Sequence, residues 1–108
     1  NLFQNGSSWS AFSDERIKDI IEPITDAASK VSTLRTVIGK YKTDDEGTRR
    51  PFLIAQDVQA VLPEAVNEQN DEQKTLGLQY TDVIPLLVAA IKELNAKVQD
   101  LEAQLKGN

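Results

Sequence analysis

The chain has 108 residues, with 12 basic and 17 acidic side chains, a formal net charge of -5, 40% apolar residues and no Cys, His or Met. The acidic balance, with Arg49 and Arg50 as the one short basic cluster, argues against a nucleic-acid partner, because phosphate neutralisation needs grouped Lys and Arg. Disulfides, thiol nucleophiles, Cys/His zinc sites and Ser-His-Asp triads are excluded within this segment, no apolar run approaches the ~20 residues of a membrane span, and no metal or other cofactor is expected.

Residues 1–12 are polar and Ser-rich, with a turn-forming Asn5-Gly6 pair and Trp9 and Phe12 as large anchors. They have neither the basic start nor the apolar stretch of a secretory signal. They read as the end of a preceding region, with Ser7, Ser8 and Ser10 on the surface, and the absence of Met reads as a segment cut from a longer polypeptide. From Ser13 the texture changes. Ile17, Ile20, Ile21 and Ile24 recur at helical spacing, Ser13 is a good N-cap, and Asp14 and Glu15 fall in the first turn, where the helix dipole favours acid. Pro23 ends or kinks this helix, and a second short helix is predicted from Thr25 to Leu34.

VIGKYK at 37–42 has strand composition and is followed by the polar loop TDDEGTRR. Asp44, Asp45 and Glu46 lack the alternating ladder of an EF-hand and read as a solvated turn. The apolar FLIA after Pro51 returns the chain as a hairpin. AQDVQAVL then places Val58, Val61 and Leu62 on one helical face before Pro63 stops it. NEQNDEQK is a polar excursion, TLGLQY a short strand, and the last helix is predicted from Thr81 to Lys106, with Thr81 as N-cap and Pro85 tolerated in the first turn. The fold class is α+β, mainly α: short helices and a small hairpin or sheet, followed by one long C-terminal helix.

Along that helix Ile84, Leu87, Ile91, Leu94, Val98, Leu101 and Leu105 alternate at spacings of three and four, the seam of a coiled coil. An ordinary amphipathic helix drifts about 20° per heptad from such a repeat. With Ile84 at position a, the a sites are Ile84, Ile91, Val98 and Leu105, and the d sites are Leu87, Leu94 and Leu101. Taken alone, β-branched a with Leu at d favours two parallel strands. Lys97 at g faces Glu102 at e of a neighbour, and Glu93 supports Lys97 within the helix; such pairs set register and are worth about a few tenths of a kcal/mol. A helix of this length removes a quarter of the chain from any intrachain core. Folding and assembly are therefore expected to be one event, with a lone chain largely unfolded.

Three segments in order, SDERIKDII at 13–21, LIAQDVQAVLPEAV at 53–66 and LQYTDVIPLLVAAIKELNAKVQDLE at 78–102, resemble the peptidase S74 family. Its members are C-terminal intramolecular chaperone and auto-processing domains of bacteriophage tail spikes, fibres and neck appendages. The resemblance implies a homotrimer with a parallel C-terminal coiled coil, an end of a preceding fibre domain at 1–12 and a chaperone domain at 13–108, with the coiled coil at 81–106. It implies that the trimer aligns three fibre chains and then releases itself by cutting Phe12-Ser13, with Ser13 as nucleophile and Lys18 as base. Asp14 and Gln56 are candidate supporting residues, Gln56 more as a structural hydrogen-bonding residue than as an oxyanion donor. One departure is Pro51-Phe52-Leu53, where the family often carries a glycine before Ile-Ala-Gln. The partners implied are two further copies and the preceding fibre, without nucleic acid or membrane. The location implied is the bacterial cytoplasm during phage assembly, the fibre ending in the virion tail and the released domain staying out of it.

Such chemistry makes physical sense in a chain without His. A serine hydroxyl needs a base to take its proton, and a neutral lysine amine can serve. A lysine in water titrates near pH 10.4, so neutrality near pH 7.5 requires about 4 kcal/mol of preferential destabilisation of the charge, which burial supplies. A trimer of apolar faces offers that burial better than a thin monomer. On a continuous helix, five residues turn through about 500°, leaving the two side chains about 140° apart. Ser13 must therefore lie outside the helix, or Lys18 must reach a neighbour's Ser13. Direct attack with an acyl shift and assistance to a water both remain open, as do two rival roles: a non-catalytic oligomerisation module, and the same self-cleaving domain in a cellular protein.

Overall fold

Small and branched apolar residues divide between two adjoining cores. In a computed structural model, which describes residues 11–107, Ala27, Leu86 and Ala90 form one buried cluster, edged by Val31, Leu34, Leu62 and Ala89. Val58, Ala65 and Val83 form the other, edged by Leu53, Leu62, Val66 and Leu78. The expected Asn5-Gly6 turn, the Trp9 anchor and the surface serines 7, 8 and 10 lie outside the described residues.

The elements that bring these residues together are α1 (Ala27–Ser32), β1 (Val37–Gly39), β2 (Arg50–Phe52), α2 (Ala55–Val61), β3 (Val66–Glu68), β4 (Leu76–Leu78) and α3 (Ile84–Lys106). Short 3-10 turns at Glu15–Ile17, Pro63–Ala65 and Tyr80–Val83 join them. The two sheets are separate antiparallel pairs. β1 and β2 align Val37 with Phe52 and Ile38 with Pro51, a two-stranded setting in which Pro is tolerated because both strands are edges. β3 and β4 align Val66 with Leu78 and Glu68 with Leu76. The result is an α+β, mainly helical chain with a long C-terminal helix.

The first hairpin forms where predicted but with shorter strands, β1 stopping at Gly39 and β2 at Phe52 so that Leu53 and Ile54 lie beyond it, and its loop is the expected solvated turn. The Asp44 carboxylate accepts from the Glu46 and Thr48 amides at 3.1 and 3.0 Å, and Gly47 takes a positive φ of 72° that a side chain would strain. Tyr41 stands edge-on to Phe52, with ring centroids 5.1 Å apart. The second hairpin exceeds the prediction: β3 follows directly on the turn that Pro63 starts, so the polar excursion is a hairpin loop. Its Asp71 accepts from the Thr75 amide at 2.9 Å, which pulls that carboxyl below the ordinary range.

Two helix predictions need correction. Ser13 caps no helix, and the stretch expected to be helical up to Pro23 contains one 3-10 turn, Glu15–Ile17, capped by Asp14. Residues 18–25 form no helix. Ile17, Ile20 and Ile21 are β-branched, Pro23 disfavours helical geometry at Glu22, and no face among the described residues buries them, so they stay 60%, 75% and 90% exposed. The last helix begins at Ile84 rather than Thr81, which lies in the preceding 3-10 turn. Pro85 sits in its first turn, as expected.

The long helix leaves the body. Its 23 residues extend about 35 Å, and every residue from Leu94 to Gly107 is exposed. The radius of gyration is 18.2 Å, against about 13 Å for a compact chain of 100 residues. Apolar burial is divided between the contact of α1 with the first half of α3 and the cluster of Val58, Ala65 and Val83 beside it.

Candidate active site

Residues 13 and 18 meet because the helix predicted between them is absent. Asp14, at φ -66° and ψ 130°, and Lys18, at φ -121° and ψ 139°, are both extended, with a single tight turn between them. That turn is closed by backbone bonds from Ile17 to the Asp14 carbonyl and from Lys18 to the Glu15 carbonyl, each 3.1 Å. Side chains flanking so short a reversal fall on one side, and the Lys18 Nζ hydrogen-bonds the Ser13 Oγ. The requirement that Ser13 lie outside a helix is met within one chain.

Asp14 serves the turn and makes no hydrogen bond to the Ser13 or Lys18 side chains among the described residues. Its carboxylate accepts from the Arg16 amide at 2.9 Å and from the guanidinium at 2.7, 3.1 and 3.2 Å. The guanidinium bond and the amide bond hold the Asp14 carboxyl below its ordinary range, and the same contact raises Arg16. Gln56 lies exposed in the first turn of α2, lining a groove with Tyr41, Phe52, Leu53, Leu76 and Tyr80. It makes no hydrogen bond to Ser13 or Lys18 among the described residues. Ser13, Lys18 and Phe12 are all exposed in the single chain, so its own packing does not supply the shielding that base catalysis by lysine demands.

The heptad residues are equally uncovered. Ile84, Leu87, Ile91, Leu94, Val98, Leu101 and Leu105 are 39–77% exposed, while Leu86 and Ala90 on another face of α3 are buried against α1. Glu93 extends this second face. Its carboxylate accepts from the Ala27 and Ala28 amides at 2.7 and 2.9 Å and caps α1, whose own N-cap Asp26 is in the left-handed region and makes no capping bond. Those amides, with Lys30 nearby, hold the Glu93 carboxyl low. The i, i+4 spacing predicts a pairing of Glu93 with Lys97 on its own helix. No local pattern joins it to residues 66 and 65 positions away.

A second long-range tie was also missed. Asp57, in the first turn of α2, accepts from the Arg35 amide and Nε at 3.0 Å each and from its second guanidinium nitrogen at 3.1 Å. The Arg35 contacts lower the Asp57 carboxyl. The Tyr80 hydroxyl accepts from the Leu53 amide at 3.1 Å, fixing the residue that leads from β2 towards α2. An acid in a first turn is a recognisable signal, but its partner is not.

Residues 13–67 match the peptidase S74 family, described as the chaperone of endosialidase. The chain belongs to this family. The match starts at the serine that the turn presents to Lys18. This S74 chain is also 36% identical over 118 aligned residues to the long tail fiber protein Gp37 of Enterobacteria phage K3, covering 95% of the chain and 10% of that protein. The identity is again 36% to Gp37 of Enterobacteria phage T2, over 95% of the chain and 9% of the relative. It is 35% to a probable tail fiber protein of Escherichia phage Phieco32, over 91% of the chain and 14% of the relative. The chain thus spans about a tenth of the length of the tail fibre relatives it matches.

Proposed function

We propose that the chain is an intramolecular chaperone of a phage tail fibre, which trimerises through α3, aligns three preceding fibre chains and then cuts itself away at Phe12-Ser13. On this reading residues 1–12 end the fibre and residues 13–108 are the chaperone, acting in the host cytoplasm during phage assembly. The observation that carries it is the Lys18 amine against the Ser13 hydroxyl, in a family member whose match begins at that serine. The uncovered heptad face supplies the means of association.

In the cleavage step the neutral Lys18 amine takes the Ser13 hydroxyl proton as Oγ attacks the Phe12 carbonyl carbon. The Phe12-Ser13 C–N bond breaks, its nitrogen takes a proton from the lysine ammonium, and the Phe12 acyl group moves to Oγ as an ester. Water hydrolyses the ester, leaving a Phe12 carboxylate and a Ser13 with amine and hydroxyl restored. The neighbouring protomers would shield the Lys18 amine and disfavour its charged form, so that cutting waits for assembly. The tether has a physical purpose. Pairing strands between three chains is non-local and slow, whereas a coiled coil closes locally and raises the effective concentration of the fibre ends.

Mass spectrometry of a longer chain carrying its upstream fibre residues tests the reading. A fragment starting at Ser13 is expected, and it disappears in Ser13→Ala and Lys18→Ala. Hydroxylamine added during the reaction should trap the ester as a Phe12 hydroxamate. Its absence in a chain that still cuts at this bond points to water attack. An intact wild-type chain in a stable trimer would establish the non-catalytic module instead.

A further inference from the structure

Ser13 and Lys18 hold together only if the turn between them keeps its shape, and among the described residues no hydrogen bond from a later element supports that turn. Its residues are exposed, none of 11–25 is buried, and no hydrogen bond ties residues 13–18 to any later element among the described residues. Two backbone bonds close it. Among the described residues the Lys18–Ser13 hydrogen bond crosses it, and the remaining side-chain ties join Arg16 to Asp14: Arg16 returns its guanidinium to Asp14 in a two-pronged contact at 2.7–3.2 Å, while its own amide completes the Asp14 cap at 2.9 Å. The fork geometry fixes the orientation of the carboxylate as well as its distance, which a point-charge ammonium cannot do.

We propose, resting on the self-cleavage reading above, that Arg16 is a positioning residue for that reaction: clamped on Asp14, it holds the Glu15–Ile17 turn in the shape that brings the Lys18 amine to the Ser13 hydroxyl. Arg16 touches neither reacting group. Its side chain is 87% exposed and that of its partner 44%, and ion pairs so exposed add little to global stability. The pair therefore acts on local geometry, where a displacement of 1 Å can slow a reaction by about 100-fold.

The test is the rate of cleavage in the longer chain, with trimer content measured by sedimentation. Arg16→Ala is expected to slow cleavage by about 10–100-fold while trimer content and melting temperature stay at wild-type values. Arg16→Lys should restore less than half of that loss, because the charge returns without the fork. Asp14→Asn keeps a capping side chain but breaks the charged pair. Its effect should not add to that of Arg16→Ala, since both open the same clamp. The pH at which the rate is half-maximal should stay unchanged in all three, as expected for lost alignment with an unaltered base. Wild-type cleavage in Arg16→Ala, full rescue by Arg16→Lys, or additive losses would each overturn the proposal. Cleavage that survives Ser13→Ala would instead overturn the underlying reading, so the two failures are separable.

Discussion

Two faces of α3 meet different fates. One face, Leu86, Ala90 and Glu93, is used within the chain: the two apolar residues are buried on α1 and the carboxylate caps its first amides. The other, from Ile84 to Leu105, carries seven large aliphatic residues in strict three-four alternation and stays 39–77% exposed. An aliphatic row of that length left in water costs about 25 cal/mol for each Å² of apolar surface, and contiguous exposed apolar patches mark interaction sites. One helix thus serves two ends: its first half anchors a small domain, and along its full length it leaves an aliphatic row exposed, which on the proposed reading is the seam between copies.

The largest expected effect comes from breaking the seam. Leu94→Asp places a charge at an exposed d position, and sedimentation should show loss of association, with cleavage lost alongside it. A trimer that persists would mean that the exposed row is not the joint. Next comes the inner face. Leu86→Ala removes a fully buried side chain and should cost about 2–5 kcal/mol, read as a lower denaturation midpoint for a trimer that still forms when folded.

Acidification separates the faces more finely. The Glu93 carboxyl is held below its ordinary value by the Ala28 and Ala27 amides, so its stabilisation is present above the unfolded value of about 4.3 and lost as pH falls through the folded one. Thermal melts of wild type and Glu93→Gln should differ at neutral pH, the wild type melting higher, and converge in acid. A constant difference at every pH would contradict the cap. The smallest effect belongs to the seam's rim: exchanging Lys97 and Glu102 reverses the polarity of the proposed pair without removing it, and should move the melting temperature by about 1 °C or less.

The sequence made the outer face legible because a heptad repeat is a property of one local stretch. Ile84 to Leu105 can be read without knowing what lies elsewhere. The first hairpin was legible for the same reason, its strands and turn residues being contiguous, and Pro63 marked the end of α2 correctly. The inner face was not legible. That Glu93 should cap residues 66 and 65 positions earlier, or that Asp57 should hold Arg35, depends on how the helices dock, and no spacing rule carries that information. The N-terminal segment failed in an instructive way. Ile17, Ile20 and Ile21 have helical periodicity, yet periodicity implies a helix only where a surface exists to receive the face, and the described residues offer none.

That failure is what brings the candidate site together. A continuous helix would have pointed Ser13 and Lys18 about 140° apart, whereas one 3-10 turn between two extended residues sets the amine against the hydroxyl. The motif was therefore readable as a set of residues and unreadable as a geometry. On the proposed self-cleavage reading, the exposure of both groups leaves assembly as the source of shielding, which would tie the chemistry to the outer face of α3.

The most direct measurement follows cleavage and association together in a dilution series of the longer chain, reading the Ser13 fragment by mass spectrometry and the trimer by sedimentation. The account predicts that the first-order cleavage rate falls with the trimer fraction and vanishes in the monomeric range. A rate that stays maximal where only single chains sediment would contradict it.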